Sequence, residues 1–409
     1  MLNANNEREL AYVVRIGWVK PIEGADNIEL VGINGWTCIA KKGEFAEGDL
    51  AVYFEIDSKL PETEWSEFLA SKHYKVKTMK LGKFKVISQG LALPASAFGG
   101  LCYQDGDGQI YLHFDKNSYF GKNVDFGEGD FLTQELGVTY ASEEDNARKA
   151  KVNPDAKINA ALARHPKIAK KYGRLIKKSK ILRKLFVLFF GKKRDVRNWP
   201  SWVAKTDEER VQNMPFILQN KNPWIATEKI DGTSTTFTMK RGKFGKYDFY
   251  ICSRNVVFDK PDKACFYDTN VYVEMAEKYH IEDVLKDILN TDKSLEWVTL
   301  QGETFGKDIQ RRDYSMKDHD FVGFNFITSK DGRWNSKRAA DLLATYGIKW
   351  VPIVDENFIL PDTVEELLAI ATDKSVIDGG MREGLVFRSP DGTQSFKAVS
   401  NEFLLKYHQ

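Results

Sequence analysis

Apolar and polar positions alternate with a period of two through much of residues 10–140, which predicts a β-rich region. The runs Tyr12–Val19, Ile28–Ile33, Trp36–Ala40 and Leu50–Ile56 are separated by turn signals at Glu23-Gly24, Asn34-Gly35, Lys42-Gly43 and Glu47-Gly48. Asn34-Gly35 between two strand patterns predicts a tight hairpin. Further strand patterns follow at Lys83–Ser88, Leu91–Leu93 and Ile110–Phe114. Short strands at this spacing suggest a small barrel or sandwich.

The pattern then changes twice. Residues 141–198 are rich in Ala and Lys. Leu175, Ile176, Leu182, Leu185, Phe186 and Phe189 recur there at roughly helical spacing, which predicts a basic amphipathic helix near 166–192 with linker on its flanks. Residues 199–409 mix both periods. Strands are expected at Ser234–Met239, Phe249–Ser253, Trp297–Gln301, Phe321–Ile327 and Gly384–Arg388. Helices are expected at Asn270–Tyr279, Glu282–Leu289, Lys337–Tyr346 and Thr363–Thr372, the last opened by a capping box of Thr363 and Glu366.

Composition bounds the class. A chain of 409 residues suggests two or three domains, and 42% hydrophobic with 12% aromatic residues is enough to bury cores. Pervasive disorder, collagen-like repeats and a disulfide-stapled miniprotein are excluded. No run of eighteen apolar residues exists; the longest tight run, Leu185–Phe190, is six, so no membrane partner is expected. The first residues, Met1 to Glu7, lack a basic region followed by an apolar one, so no secretory signal is expected. Cys38, Cys102, Cys252 and Cys265 form no CxxC pair, and the six histidines form no HxxxH. Structural zinc is therefore not expected, and a reducing setting is: cytoplasmic, or nuclear in a eukaryote. The net charge of +2 hides an asymmetry. Residues 148–198 hold eighteen Lys and Arg against two acids, a local +16 that leaves −14 for the rest. Such a segment points to a polyanionic partner, with a solvated spacer as the plainer alternative.

Candidate chemistry centres on Thr227-Glu228-Lys229-Ile230-Asp231-Gly232-Thr233-Ser234, where a lysine and an Asp-Gly turn precede a Thr/Ser-rich strand. Alone, this is also how a surface lysine beside a hairpin looks. Five more segments follow in order: Ser253-Arg254-Asn255; Leu300-Gln301-Gly302-Glu303-Thr304-Phe305-Gly306; Asp320-Phe321-Val322-Gly323-Phe324-Asn325-Phe326; Arg382-Glu383-Gly384-Leu385-Val386-Phe387-Arg388; and Ser395-Phe396-Lys397-Ala398. Four of them have a plain structural alternative: Phe324 as core, Glu303 as a turn acid, Glu383 as a surface ion pair with Arg382, Lys397 as solvated.

In order and spacing the six segments resemble motifs I, Ia, III, IIIa, IV and V of the covalent nucleotidyltransferases, the polynucleotide ligases and mRNA capping enzymes. The resemblance implies that Lys229 attacks the α-phosphorus of a nucleotide. An unperturbed lysine is only ~0.04% neutral at pH 7. Its pKa must therefore fall, through a metal ion, desolvation, or a cation such as Lys397 or Arg254. The resemblance further implies that Asp231, Glu303 and Glu383 hold a divalent metal (Mg or Mn), largely through its waters. It assigns Phe324 to stacking on adenine, Glu228 to the adenine edge, Arg254 to ribose or phosphate and Lys397 to the α-phosphate. Glu303 would also reach the ribose, and Gly232 would line the nucleotide.

Only twelve residues follow Lys397, which leaves no room for the barrel that follows motif V in DNA ligases and capping enzymes. The β-rich region stands first instead. That arrangement resembles the Deinococcus-type RNA ligases, an N-terminal OB domain joined to a catalytic domain of the phage RNA ligase 2 type. Ile22 to Glu29, Phe45 to Asp49, Ile87 to Leu91 and Lys205 to Asn213 carry that likeness. One departure concerns motif V: Lys397 stands with Val399, so the second lysine of a Lys-x-Lys pair is missing or has moved, with Lys406 as a candidate substitute.

The expected fold is α+β: an OB-like β-barrel domain at 1–145 and a basic helical insert at 146–198. A mixed α/β covalent nucleotidyltransferase (ATP-grasp-like ligase) domain follows at 199–409. The implied function is an ATP-dependent RNA ligase sealing 3′-OH/5′-phosphate nicks. Its expected partner is a nicked duplex with an RNA 3′-OH strand, and 148–198 would contact phosphate backbone. Trp18, Trp36, Tyr53 and Phe54 are available for nucleic acid on the OB domain, although most strand aromatics are core. A DNA ligase, a GTP-using capping-type enzyme and a non-catalytic nucleic-acid-binding protein with a degenerate ligase domain are the alternatives.

Overall fold

A computed structural model describes residues 1–2, 7–140, 198–205, 207–258 and 270–407, with Ile168, Tyr172, Ile176, Ser179, Leu182 and Phe186. The chain divides into two units, 1–140 with 199–409, and 141–198. In the second, Ile168, Tyr172, Ile176, Leu182 and Phe186 are helical, and Ile176 and Phe186 are buried. Ser179, also within the helix expected near 166–192, is not helical; the remaining residues of that stretch lie outside the described residues, as does Cys265.

In the N-terminal region, strands Ile28–Ile33 and Trp36–Lys41 pair antiparallel with Ile33 opposite Trp36. Asn34 and Gly35 take φ of 46° and 78°, the two left-handed residues that this two-residue turn requires. The single run expected over Tyr12–Val19 is two strands, Ala11–Arg15 and Trp18–Pro21. The break falls where buried Ile16 donates its N–H to Asp49 O and Gly17 donates to Gly32 O, so the chain passes from one sheet to another. Strand Leu50–Phe54 is buried on both faces. Its alternation feeds two cores: Leu50, Val52 and Phe54 pack with Trp65, Phe98 and Phe114, whereas Ala51 and Tyr53 pack with Val31, Trp36 and Ala92. Trp36, Tyr53 and Phe54 are therefore core residues; of the four aromatics named for nucleic acid, only Trp18 is half-exposed.

The C-terminal region holds two antiparallel sheets. One has six strands in the order Val257–Phe258, Tyr247–Cys252, Thr233–Arg241, Trp297–Gly306, His319–Thr328 and Gly332–Arg333. The other has four, in the order Ile353–Phe358, Trp224–Lys229, Gly384–Arg388 and Ser395–Val399. Helices Val271–Lys278, Ile281–Thr291 and Ser336–Ala344 cover the larger sheet, burying residues such as Leu285, Ile288 and Leu343 against Phe237, Val298 and Leu300. Helix Val364–Ala371 covers the smaller one against Trp224, Phe387 and Phe396, and Thr363 and Glu366 form the expected capping box. Besides the two-residue strands Val257–Phe258 and Gly332–Arg333, three strands of this region escape the periodicity reading. Trp224–Lys229 is buried almost throughout and so shows no alternation, while Ile353–Phe358 carries Asp355-Glu356-Asn357 on an exposed edge. The third, Ser395–Val399, carries Lys397.

The two regions touch within their unit. Leu2 donates its N–H to Asn213 O at 2.9 Å, Gly35 donates to Glu365 Oε1 at 2.8 Å, and the Arg210 guanidinium lies 5.5 Å from the Trp36 ring centre.

Candidate active site

The two C-terminal sheets meet at one lysine. Lys229 is the last residue of a strand in the four-stranded sheet, and Thr233 begins a strand of the six-stranded one. The sequence pattern placed Lys229 ahead of a strand and read Asp231-Gly232 as a tight turn. Instead Ile230-Asp231-Gly232 is a crossing between sheets. Gly232 does not take a positive φ. It serves close approach: a Cβ there would stand 2.4 Å from Thr304 O and 2.8 Å from Glu303 Cγ. The crossing is pinned on both sides, by Ile230 in a small core with Phe305, Tyr314 and Val351, and by the Asp231 N–H donating to Tyr314 Oη at 2.7 Å.

Antiparallel pairing sets Lys229 opposite Gly384, which brings the adjacent Glu383 to it. Lys229 Nζ donates to Glu383 Oε2 at 2.7 Å. The surface pair of Glu383 with Arg382 does not form: Arg382 is buried and donates to the carbonyls of Ile370 and Ala371. Glu303 arrives from the other sheet, opposite Ser234. Burial pushes its carboxyl up to about 8; Lys229 opposes this, and Glu383 and Asp231 add to it. Burial also pulls the Lys229 amine down, but Glu383, Glu303 and Asp231 outweigh it and hold the pKa above its ordinary value.

The protein's side chains alone therefore do not depress Lys229 as the chemistry requires. The two cations named for that task face an acid. Arg254 donates to Asp207 Oδ2 at 2.7 Å, and Lys397 Nζ stands 3.5 Å from the other oxygen of the same carboxylate. Burial, and after it the charge of Lys229, lowers Lys397 itself. Lys406, the candidate second lysine, lies on helix Asn401–Tyr407 against Tyr407 and does not line the cavity.

Among the described residues no three His, Cys, Asp or Glu are close enough to enclose a metal ion. The donor set nevertheless fits a hard divalent cation held largely through water, because three carboxylates gather around one ammonium.

A cavity of about 310 Å³ opens beside these groups, lined by Glu228, Lys229, Gly232, Arg254, Glu303, Phe324 and Lys397 among others. Asp231 and Glu383 stand behind Lys229 rather than in the lining. Phe324 reaches the cavity through a β-bulge. Gln301 pairs with Asn325 and Gly302 with Gly323, so Phe324 has no partner across the ladder. The extra residue restores one core face to Phe321 and Phe326, which an unbroken alternation would place on opposite sides. Phe324 itself is half-buried at the cavity wall. Glu228 is buried on the cavity's inner side; its Oε2 accepts from Val376 N–H at 2.8 Å, and Oε1 has no hydrogen-bond partner among the described residues. Burial raises its pKa.

Three charged lining residues carry no role in the sequence reading. Arg388 is buried and donates to Asn325 Oδ1, Thr227 Oγ1 and Glu208 Oε1 at 3.1, 3.2 and 3.3 Å, with its guanidinium 5.7 Å from the Phe324 ring centre. Burial lowers it to about 10. Asp207 and Glu208 supply the acids for these cations. An arginine ending an apolar strand run was a signal for Arg388; the two acids lie in the segment Lys205 to Asn213, which carried the family likeness but no periodicity to assign them a role.

Residues 222–408 match the RNA ligase family model, and residues 10–95 match an OB-fold domain. No curated protein matches the sequence. Solved structures do. A variant of Naegleria gruberi RNA ligase with ATP and Mn is 28% identical, covers 98% of this chain and 100% of its own, and superposes with a TM-score of 0.61. A second variant, with AMP and Mn, is 27% identical over 98% and 99% with a TM-score of 0.61. The same ligase with PPi is 28% identical over 98% and 99% with a TM-score of 0.59.

Proposed function

We propose that this ATP-dependent RNA ligase seals 3′-OH/5′-phosphate nicks through a covalent adenylate on Lys229. The chain carries an RNA-ligase domain behind an OB-fold domain, and 98% of it aligns with a ligase solved with ATP, AMP and PPi. The observation that carries the covalent reading is the ladder register that holds Lys229 Nζ against Glu383 at the mouth of a nucleotide-sized cavity.

In the first step the Lys229 amine attacks the α-phosphorus; the N–P bond forms, the α–β P–O bond breaks and pyrophosphate leaves. In the second, a 5′-phosphate oxygen displaces the lysine and takes the AMP. In the third, a 3′-OH attacks the adenylated end and AMP leaves. Glu383 fixes the direction of the amine. Phe324 stacks on adenine, and the unsatisfied Oε1 of Glu228 accepts from its exocyclic amine. Arg254 and Lys397 exchange Asp207 for phosphate oxygens. Asp231, Glu303 and Glu383 would hold a divalent cation, which supplies charge neutralisation on the phosphates and the positive field that the amine otherwise lacks.

The nicked duplex with an RNA 3′-OH strand, the backbone contacts of 148–198, the limits 1–145, 146–198 and 199–409, and an intracellular setting belong to the same reading. The last agrees with the free thiols of Cys38 and Cys102. Incubation with α-labelled ATP and Mg or Mn, followed by denaturing gels and peptide mapping, tests it. Label on Lys229 is expected, GTP gives none, and an RNA 3′-OH strand is sealed in preference to DNA. An adduct elsewhere, or none, refutes the covalent reading.

A further inference from the structure

The hairpin that joins strands Thr233–Arg241 and Tyr247–Cys252 has both feet in the active site: Thr233 and Arg254 line the cavity. Its tip reads Lys240-Arg241-Gly242-Lys243-Phe244-Gly245-Lys246. Phe244 is 95% exposed, far more than any other large apolar side chain among the described residues. It also takes a φ of 59°, an unusual conformation for a bulky residue, between two glycines. Lys243 and Lys246 are exposed and form no salt bridge among the described residues; Asp248, opposite Lys240, is the hairpin's one acid.

The base of this tip is fixed. Arg241 donates to Leu295 O at 2.8 Å and to the carbonyls of Leu289 and Asp292, and Tyr247 Oη donates to Asn290 Oδ1 at 2.6 Å. Lys240 is held over the Trp202 ring at 4.9 Å. An aromatic ring and two free ammonium groups are thus presented at a set place. Eight strand steps of about 3.3 Å put that place about 26 Å from Thr233.

We infer that the tip is a second contact for the RNA substrate, with Lys243 and Lys246 on phosphates and Phe244 stacked on a base. This rests on the RNA-ligase reading and extends it to one arm of the substrate. An aromatic ring between cations suits nucleic acid, where bases stack on aromatics and ammonium groups neutralise the backbone. The reach corresponds to on the order of eight steps along a duplex, so only arms longer than that meet the tip.

The test compares the full chain with F244A, F244W and K243A/K246A, on nicked RNA duplexes with arms of about twelve or about five base pairs, either side of the eight-step reach. Binding is read by anisotropy across salt, and self-labelling with α-labelled ATP is read separately. On long arms F244A weakens binding roughly fivefold or more, as for loss of one stacked base. F244W stays within about twofold of the wild type, since it keeps the ring. K243A/K246A lowers the log–log salt slope by up to about 1.8. On short arms all variants bind like the wild type, and self-labelling is unchanged throughout. Unchanged long-arm affinity in F244A and K243A/K246A overturns the inference. So does an equal loss on short arms. Failure of the wild type to take label refutes the ligase reading instead, and leaves the affinities readable.

Discussion

At the scale of single residues, position in a ladder rather than chemical type sets what each group does. Lys229 is one of sixty Lys and Arg, and what sets its task is that it donates to a carboxylate its own strand pairing delivers. Its amine is held above the ordinary lysine value by Glu383, Glu303 and Asp231. Only the neutral amine attacks, and a raised pKa keeps it protonated near neutrality. Single-turnover self-adenylation, followed by rapid quench, should therefore climb about tenfold per pH unit from 6 to 8. A rate flat across that window would mean the amine is already neutral. Arg388 acts differently. It is buried among Asn325, Thr227 and Glu208, so R388M removes one partner of a buried pair and strands the other. A loss of about 3 kcal/mol is expected. Calorimetry should show that as a Tm lower by on the order of 6–12 °C.

At the scale of elements, the bulge in strand His319–Thr328 separates packing from binding. Phe326 faces the core and Phe324 the cavity, two residues apart. Replacing Phe326 by Ala should cost roughly 3–5 kcal/mol in denaturant unfolding. F324A should cost under about 1 kcal/mol, yet weaken nucleotide binding roughly fivefold or more through lost stacking. Equal stability losses would mean that Phe324 is core after all. Alternation along the sequence shows an aromatic strand but cannot show the bulge, because the extra residue is defined only by the partner strand. The same holds at Gly232. The Asp-Gly pair reads as a turn, and the close contact with Thr304 that needs glycine comes from another strand. By contrast, the Asn34-Gly35 hairpin and the Thr363–Glu366 capping box were legible, since both are satisfied within a few residues.

At the scale of the whole molecule, charge is as unevenly spread as structure. With +16 in residues 148–198, exchanging that segment for a Gly/Ser linker of equal length should flatten the salt dependence of RNA binding. About 0.9 of log–log slope disappears for each phosphate contact removed. Self-adenylation should stay unchanged, and a salt slope like the wild type's would make the segment a solvated spacer. Taken by itself, the sequence determined what is local or ordered along the chain. That includes the β-rich first part, the basic segment, most helices of the last part, and the succession of six segments that resembles the covalent nucleotidyltransferases. These follow from side-chain period, turn chemistry and residue order, none of which needs a partner strand. Only the tertiary structure decided that Lys229 ends a strand, that two sheets cross beside it, and that Phe324 is bulged into the cavity. It also decided that Arg388, Asp207 and Glu208 belong to that cavity, and that the carboxylates raise the lysine rather than lower it. Those outcomes depend on register and burial, and register is a relation between strands far apart in sequence, as for Ile225 opposite Arg388 and Lys229 opposite Gly384.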